Sequence, residues 1–67
     1  MTLDEIRSLP GGTILQDATY RYYVVLEKNE FYDAKPGTLV DLFYGNIRDC
    51  TWLKMPVKQI QMTEIMF

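Results

Sequence analysis

Thr38-Leu39-Val40-Asp41-Leu42-Phe43-Tyr44-Gly45-Asn46-Ile47-Arg48-Asp49-Cys50-Thr51-Trp52-Leu53-Lys54 reads as two strands about a tight turn. Thr38 to Tyr44 and Ile47 to Lys54 are rich in β-branched and aromatic residues, which suit a pleated surface. Gly45-Asn46 is a two-residue hairpin signal, because both residues accept positive φ. A turn that short joins antiparallel neighbours only, so the sheet is expected to be antiparallel.

Upstream, Thr13 to Asp17 and Tyr20 to Lys28 repeat the strand composition, with Asp17-Ala18-Thr19, Lys28-Asn29-Glu30 and Lys35-Pro36-Gly37 at the breaks. Downstream, Met55-Pro56 interrupts the ladder, since proline has no N–H to donate. Val57 to Gln59 is expected to form one 3₁₀ turn before a last strand from Ile60 to about Met66. At the other end, Thr2 and Glu5 make a capping box, and Leu3, Ile6 and Leu9 form one apolar stripe, predicting a helix over 3–9. Pro10-Gly11-Gly12 stops it. The expectation is one domain over residues 1–67, mainly β. A short N-terminal helix is followed by strands at about 13–17, 20–28, 38–44, 47–54 and 60–66, and this order resembles a five-stranded antiparallel SH3-like small barrel.

Leu9-Pro10-Gly11-Gly12-Thr13-Ile14-Leu15-Gln16-Asp17-Ala18, followed by an aromatic strand, resembles the opening of small bacteriophage-encoded SH3-like proteins. Those often read Leu-Pro-x-Gly-Thr, two aliphatics, a polar residue, Asp, then an aromatic strand. Tyr22-Tyr23 stands here where a tryptophan belongs in that pattern. The resemblance covers roughly residues 9–28. It implies a phage accessory protein acting in a bacterial cytoplasm and carries over no functional residue.

A chain of 67 residues holds one domain and has a small core, so its stability is marginal without help. One cysteine and no histidine leave little scope for a disulfide or a metal staple, so a partner or a second copy is the remaining support. Hydrophobic residues at 48% and charged residues at 24% predict a folded chain. No apolar run is long enough for a membrane span or a secretory signal, and a cytoplasmic location follows as the expectation. A net charge of −2 disfavours a nucleic-acid backbone as partner.

No catalytic residue is assigned. Without histidine the common nucleophile–base pairs cannot be assembled, the lone Ser8 has no base beside it, and no phosphate-cradling glycine loop is present. The chain is read as non-enzymatic, with no cofactor and no metal site. Cys50 is read as a packed thiol, and Asp33, Asp41 and Asp49 as solvated turn and strand positions.

Aromatic residues make up 13% of the chain, too many for so small an interior. Alternation places Tyr20, Tyr22, Val24 and Leu26 with Val40, Leu42 and Tyr44 in the core. Tyr23, Val25, Leu39 and Phe43, with either Trp52 or its alternating neighbours Thr51 and Leu53, then form a second apolar face, which either lies under the helix stripe or receives a partner. Tyr23, Phe43, Trp52 and Tyr32 are the partner-binding candidates. The apolar end Met62, Ile65, Met66 and Phe67 either completes the barrel or pairs with a second copy as a homo-oligomer interface.

The leading reading is a protein-interaction module, a phage factor that docks on a host protein and modulates or inhibits it. The alternative is an oligomer that binds or sequesters a small nucleotide-like or anionic ligand, stacked on tyrosines and met by Arg21, Arg48 or Lys54. Single-strand nucleic-acid binding by stacking is a third class, opposed by the charge.

Overall fold

The computed structural model of the chain describes residues 1–27 and 33–64. It is mainly β. After helix α1 (Leu3–Arg7) come β1 (Ile14–Gln16), β2 (Tyr22–Val25), β3 (Thr38–Asp41) and β4 (Ile47–Asp49), a 3₁₀ turn (Cys50–Trp52), β5 (Lys58–Ile60) and a second 3₁₀ turn (Met62–Glu64). The five strands form one antiparallel sheet in the order β4-β3-β2-β1-β5. β5 returns to lie beside β1, with Ile14 opposite Ile60 and Gln16 opposite Lys58. The sheet is open: β4 and β5 are its edges, so the expected barrel closure is not made.

Capping chemistry sets α1. The Thr2 hydroxyl accepts the Glu5 N–H at 3.2 Å while the Thr2 N–H donates to the Glu5 carboxylate at 2.8 Å. The helix stops at Arg7, two residues short of the expected end, because Leu9 precedes Pro10 and the residue before proline is pushed out of helical φ/ψ. Its buried Ile6 joins Leu15, Tyr23, Val25, Leu39, Cys50, Leu53 and Val57 in the core, and Leu3 and Leu9 pack at the margin.

The core lies on the face opposite to the one alternation suggested. Tyr23 pairs across to Leu15 and Asp41, and Val25 to Leu39; these residues point under α1 and the first 3₁₀ turn. Tyr22, Val24, Leu26, Val40 and Leu42 are only half-buried, and Tyr20 and Tyr44 are exposed. Both faces of β2 and β3 are apolar, so period-two patterning leaves the phase open, and the covering elements choose it.

Two further differences concern β4 and β5. Residues 50–54 do not extend β4: Asp49 caps a 3₁₀ turn by accepting the Thr51 N–H at 3.1 Å, which lifts the chain off the ladder. The 3₁₀ turn expected at 57–59 is instead the approach and start of β5. Cys50 is fully buried, as a packed thiol should be. Asp41, expected to be solvated, is 4% exposed.

Candidate functional site

Antiparallel order brings three connections to one end of the sheet: the β1–β2 turn, the β3–β4 turn and the segment leading into β5. Two buried aspartates build that end. Asp17 closes β1; its Oδ1 accepts the Thr19 N–H at 2.9 Å, the Thr19 hydroxyl and the Arg21 N–H at 3.4 Å, and its Oδ2 accepts the Lys54 N–H at 3.3 Å. The Ala18 N–H in turn donates to the Lys54 carbonyl at 2.8 Å, so the β1–β2 turn is tied to the chain 37 residues on. Burial pushes the Asp17 carboxyl up, but the hydrogen bonds from Thr19, Lys54 and Arg21 outweigh it and hold the group below its ordinary value.

Asp41 closes β3 in the same manner. Its Oδ1 accepts the N–H groups of Phe43 at 2.7 Å and Tyr44 at 3.1 Å, and the Gly45 N–H donates to its carbonyl at 2.7 Å. The connection is therefore four residues, Leu42 to Gly45, rather than the Gly45-Asn46 pair expected; Asn46 sits opposite Asp41, its carbonyl accepting the Asp41 N–H at 2.9 Å. Aspartate side chains mimic a backbone turn, which is why this sequence turns early. Phe43 and Tyr44 stand out from it, 76% and 64% exposed, with rings edge to face at 4.7 Å.

Trp52, half exposed, projects from the first 3₁₀ turn, and the Arg48 guanidinium lies over its ring, 4.3 Å from the centroid. On the sheet side Trp52 neighbours Tyr23. Burial raises the Tyr23 phenol above its ordinary value, and the charges of Asp17 and Asp41 raise it further. Beside this pair is a hollow of about 200 Å³ lined by Asp17, Thr19, Arg21, Tyr23, Trp52 and Lys54.

Of the partner-binding candidates, Phe43 and Trp52 are presented to solvent at this end. Tyr23 is 1% exposed and belongs to the core, because its register with Leu15 points the ring inward; only its phenol reaches the hollow. Tyr32 lies outside the described residues, as do Ile65, Met66 and Phe67 of the suggested oligomer interface; Met62 is exposed. Of the three cations assigned to an anion, Arg21 and Lys54 flank the hollow, and Arg48 is committed to Trp52.

The sequence reading missed Tyr20. It is 79% exposed and sits at φ 66°, in a three-residue connection where the αL position ordinarily takes glycine. The available signal was Asp17-Ala18-Thr19, an aspartate two residues before a threonine, which predicts a capped turn running through Tyr20 rather than a strand beginning there.

The opposite face carries an aliphatic row in register across all five strands, Ile60, Ile14, Val24, Val40 and Ile47. At the Ile47 edge it opens into a groove of about 620 Å³. Among the described residues, no cluster of three ligating side chains could hold a metal ion, and no helix is long and apolar enough to cross a membrane.

Fold and site together define a small mainly β domain with a mixed aromatic and cationic end. Compared with protein-family models, with curated proteins and with solved structures, the chain has no match.

Proposed function

We propose that the chain is a non-enzymatic protein-interaction module whose binding surface is the sheet end bearing Tyr20, Phe43, Tyr44 and Trp52. The carrying observation is Tyr20. A non-glycine residue in the left-handed region costs roughly 1–2 kcal/mol, and a ring 79% exposed recovers almost none of that by burial. A strained backbone that holds an aromatic side chain out in water suits recognition better than folding. Three more exposed rings share this end, and tyrosine and tryptophan dominate the energetics of protein interfaces. The chain also lacks histidine, the usual general base.

The small-ligand reading is less well supported. Pockets for drug-sized ligands run to roughly 300–1,000 Å³, and the hollow flanked by cations is about 200 Å³. The larger groove has Glu27 as its one charged lining residue, which repels an anion.

Tyr20 also supplies the test. Tyr20→Gly removes the strain, while the freedom glycine gives the unfolded chain offsets roughly 0.5–1 kcal/mol of that gain, so the variant is expected to be more stable by about 0.5–1 kcal/mol. Its melting temperature rises by about 4 °C. The resemblance to phage proteins makes a bacterial lysate the place to look for the partner. A protein captured by the parent chain should be lost from folded Tyr20→Gly and from folded Trp52→Ala. Undiminished capture by both variants rules out this surface.

A further inference from the structure

We propose that the hollow between the β1–β2 turn and the Trp52 turn accepts a carboxylate of a partner polypeptide, held between Arg21 and Lys54, with an adjoining apolar side chain laid on Trp52. This inference rests on the interaction-module reading and names the chemistry of the partner. Arg21 and Lys54 are exposed, flank the same hollow and have no ion-pair partner among the described residues. The carboxylate that shares the hollow, Asp17, is engaged instead by hydrogen bonds from Thr19 and from the main-chain N–H groups of Arg21 and Lys54. Among the described residues, both cationic heads are therefore left to an external anion.

Three features select a carboxylate within a peptide. Asp17 keeps one negative charge in the wall, so a singly charged anion is tolerated better than a phosphate carrying nearly two charges. The volume suits one side chain or chain terminus and is too small for a nucleotide. The flanking Trp52 is held by Arg48 over its ring, so it offers a preformed apolar shelf beside the charge.

The anchoring is internal as well. The main chain of Lys54 donates to Asp17 and accepts from Ala18, and the Arg21 N–H donates to Asp17. The two side chains thus project from backbone positions locked to one another, although Arg21 and Lys54 are 33 residues apart in sequence.

The test uses the full chain to select from a random dodecapeptide library. Binders are expected to carry Asp, Glu or a free C-terminus next to an aromatic or large aliphatic residue. Quenching or shift of fluorescence from Trp52, the single tryptophan of the chain, then measures the affinity of a selected peptide. Changing its acid to the amide is expected to weaken binding about tenfold if the carboxylate is a side chain, and amidating its C-terminus does so if it is terminal. Arg21→Gln and Lys54→Gln, each with an unchanged melting temperature, are expected to weaken the same peptide about tenfold and to flatten its salt dependence. Selection of aromatic peptides with no acidic preference, or full affinity in both glutamine variants, overturns the carboxylate pocket and leaves the interaction module standing. Failure to select any peptide overturns both.

Discussion

Asp17→Ala is expected to destabilise the domain by about 3 kcal/mol, roughly a third or more of what a chain this size has. Its carboxylate takes hydrogen bonds from three main-chain N–H groups and one hydroxyl. Leaving a buried donor unpaired costs roughly 1–3 kcal/mol. All four contacts are partly buried while Thr19, Arg21 and Lys54 are themselves exposed, so water replaces part of each and the losses add to about 3 kcal/mol. At roughly 0.05–0.15 kcal/mol per residue, 67 residues give a total stability of about 3–10 kcal/mol. The melting temperature should drop by at least about 12 °C. The same change unties the β1–β2 turn from the approach to β5, so Arg21 and Lys54 lose their fixed separation. A variant that melts within about 3 °C of the parent would show that this contact does not hold the end of the sheet together.

Acid should reproduce part of that loss. Burial opposes ionisation of Asp17, yet the hydrogen bonds leave its folded pKa below the ordinary value of 3.8. Its contribution is therefore complete above the unfolded pKa and disappears as pH falls through the folded one. Stability is expected to be flat between about pH 7 and 5 and to decline below about pH 4. Asp49 is also held low, by the Thr51 hydroxyl and N–H, but at an exposed site where the gain is small. Asp17→Asn keeps an acceptor without a titrating charge and should flatten most of the acid limb in urea titrations run at each pH.

What the sequence made legible were the features written in single residues. Thr2 and Glu5 announced the helix cap, Gly12, Gly37 and Gly45 fell where the backbone adopts positive φ, and the β-branched runs located five antiparallel strands. The phase of the sheet was not legible. Val24 and Val25 are equally apolar, and Tyr22 and Tyr23 are identical, so only α1 and the Trp52 turn, arriving from distant parts of the chain, decide which face is covered. Barrel closure likewise depends on where β4 ends, and Asp49 ends it by capping a turn that strand propensity alone does not anticipate. For the candidate site, Phe43 and Trp52 were expected at the surface because the chain has more large rings than its interior can hold, and both are exposed. Arg21 and Lys54 were named singly; their convergence came from Asp17, whose spacing to Lys54 carries no local pattern. Tyr20 was placed inside because alternation was extended across a residue that belongs to a turn.

Gly37→Ala is expected to cost about 3 kcal/mol, and its mechanism joins the turn before β3 to the Trp52 shelf. The Thr38 N–H donates to the Lys35 carbonyl at 3.1 Å around Pro36 and Gly37, and Gly37 has φ 85°. That is the type II arrangement, with proline preset at its first central position and glycine required at the second. The backbone strain of an alanine there is roughly 1–2 kcal/mol. Its Cβ would also stand 2.9 Å from the Cys50 sulfur and 3.0 Å from Cγ of Arg7. Arg7 can swing away, but Cys50 is fully buried and cannot, and overpacking a core costs roughly 1–3 kcal/mol. Gly45→Ala separates the two contributions. Gly45 has φ 75° with nothing within 4 Å of a Cβ, so it should lose only the strain, about 1 kcal/mol. In a Cys50→Ala background the penalty of Gly37→Ala should shrink toward that of Gly45→Ala, a coupling read from a double-mutant cycle in urea. Because Cys50 opens the turn that carries Trp52, pressure on its sulfur should also shift Trp52 emission in Gly37→Ala and leave it unchanged in Gly45→Ala. Equal costs at the two glycines would place the strain in φ alone and remove the sulfur contact from the account.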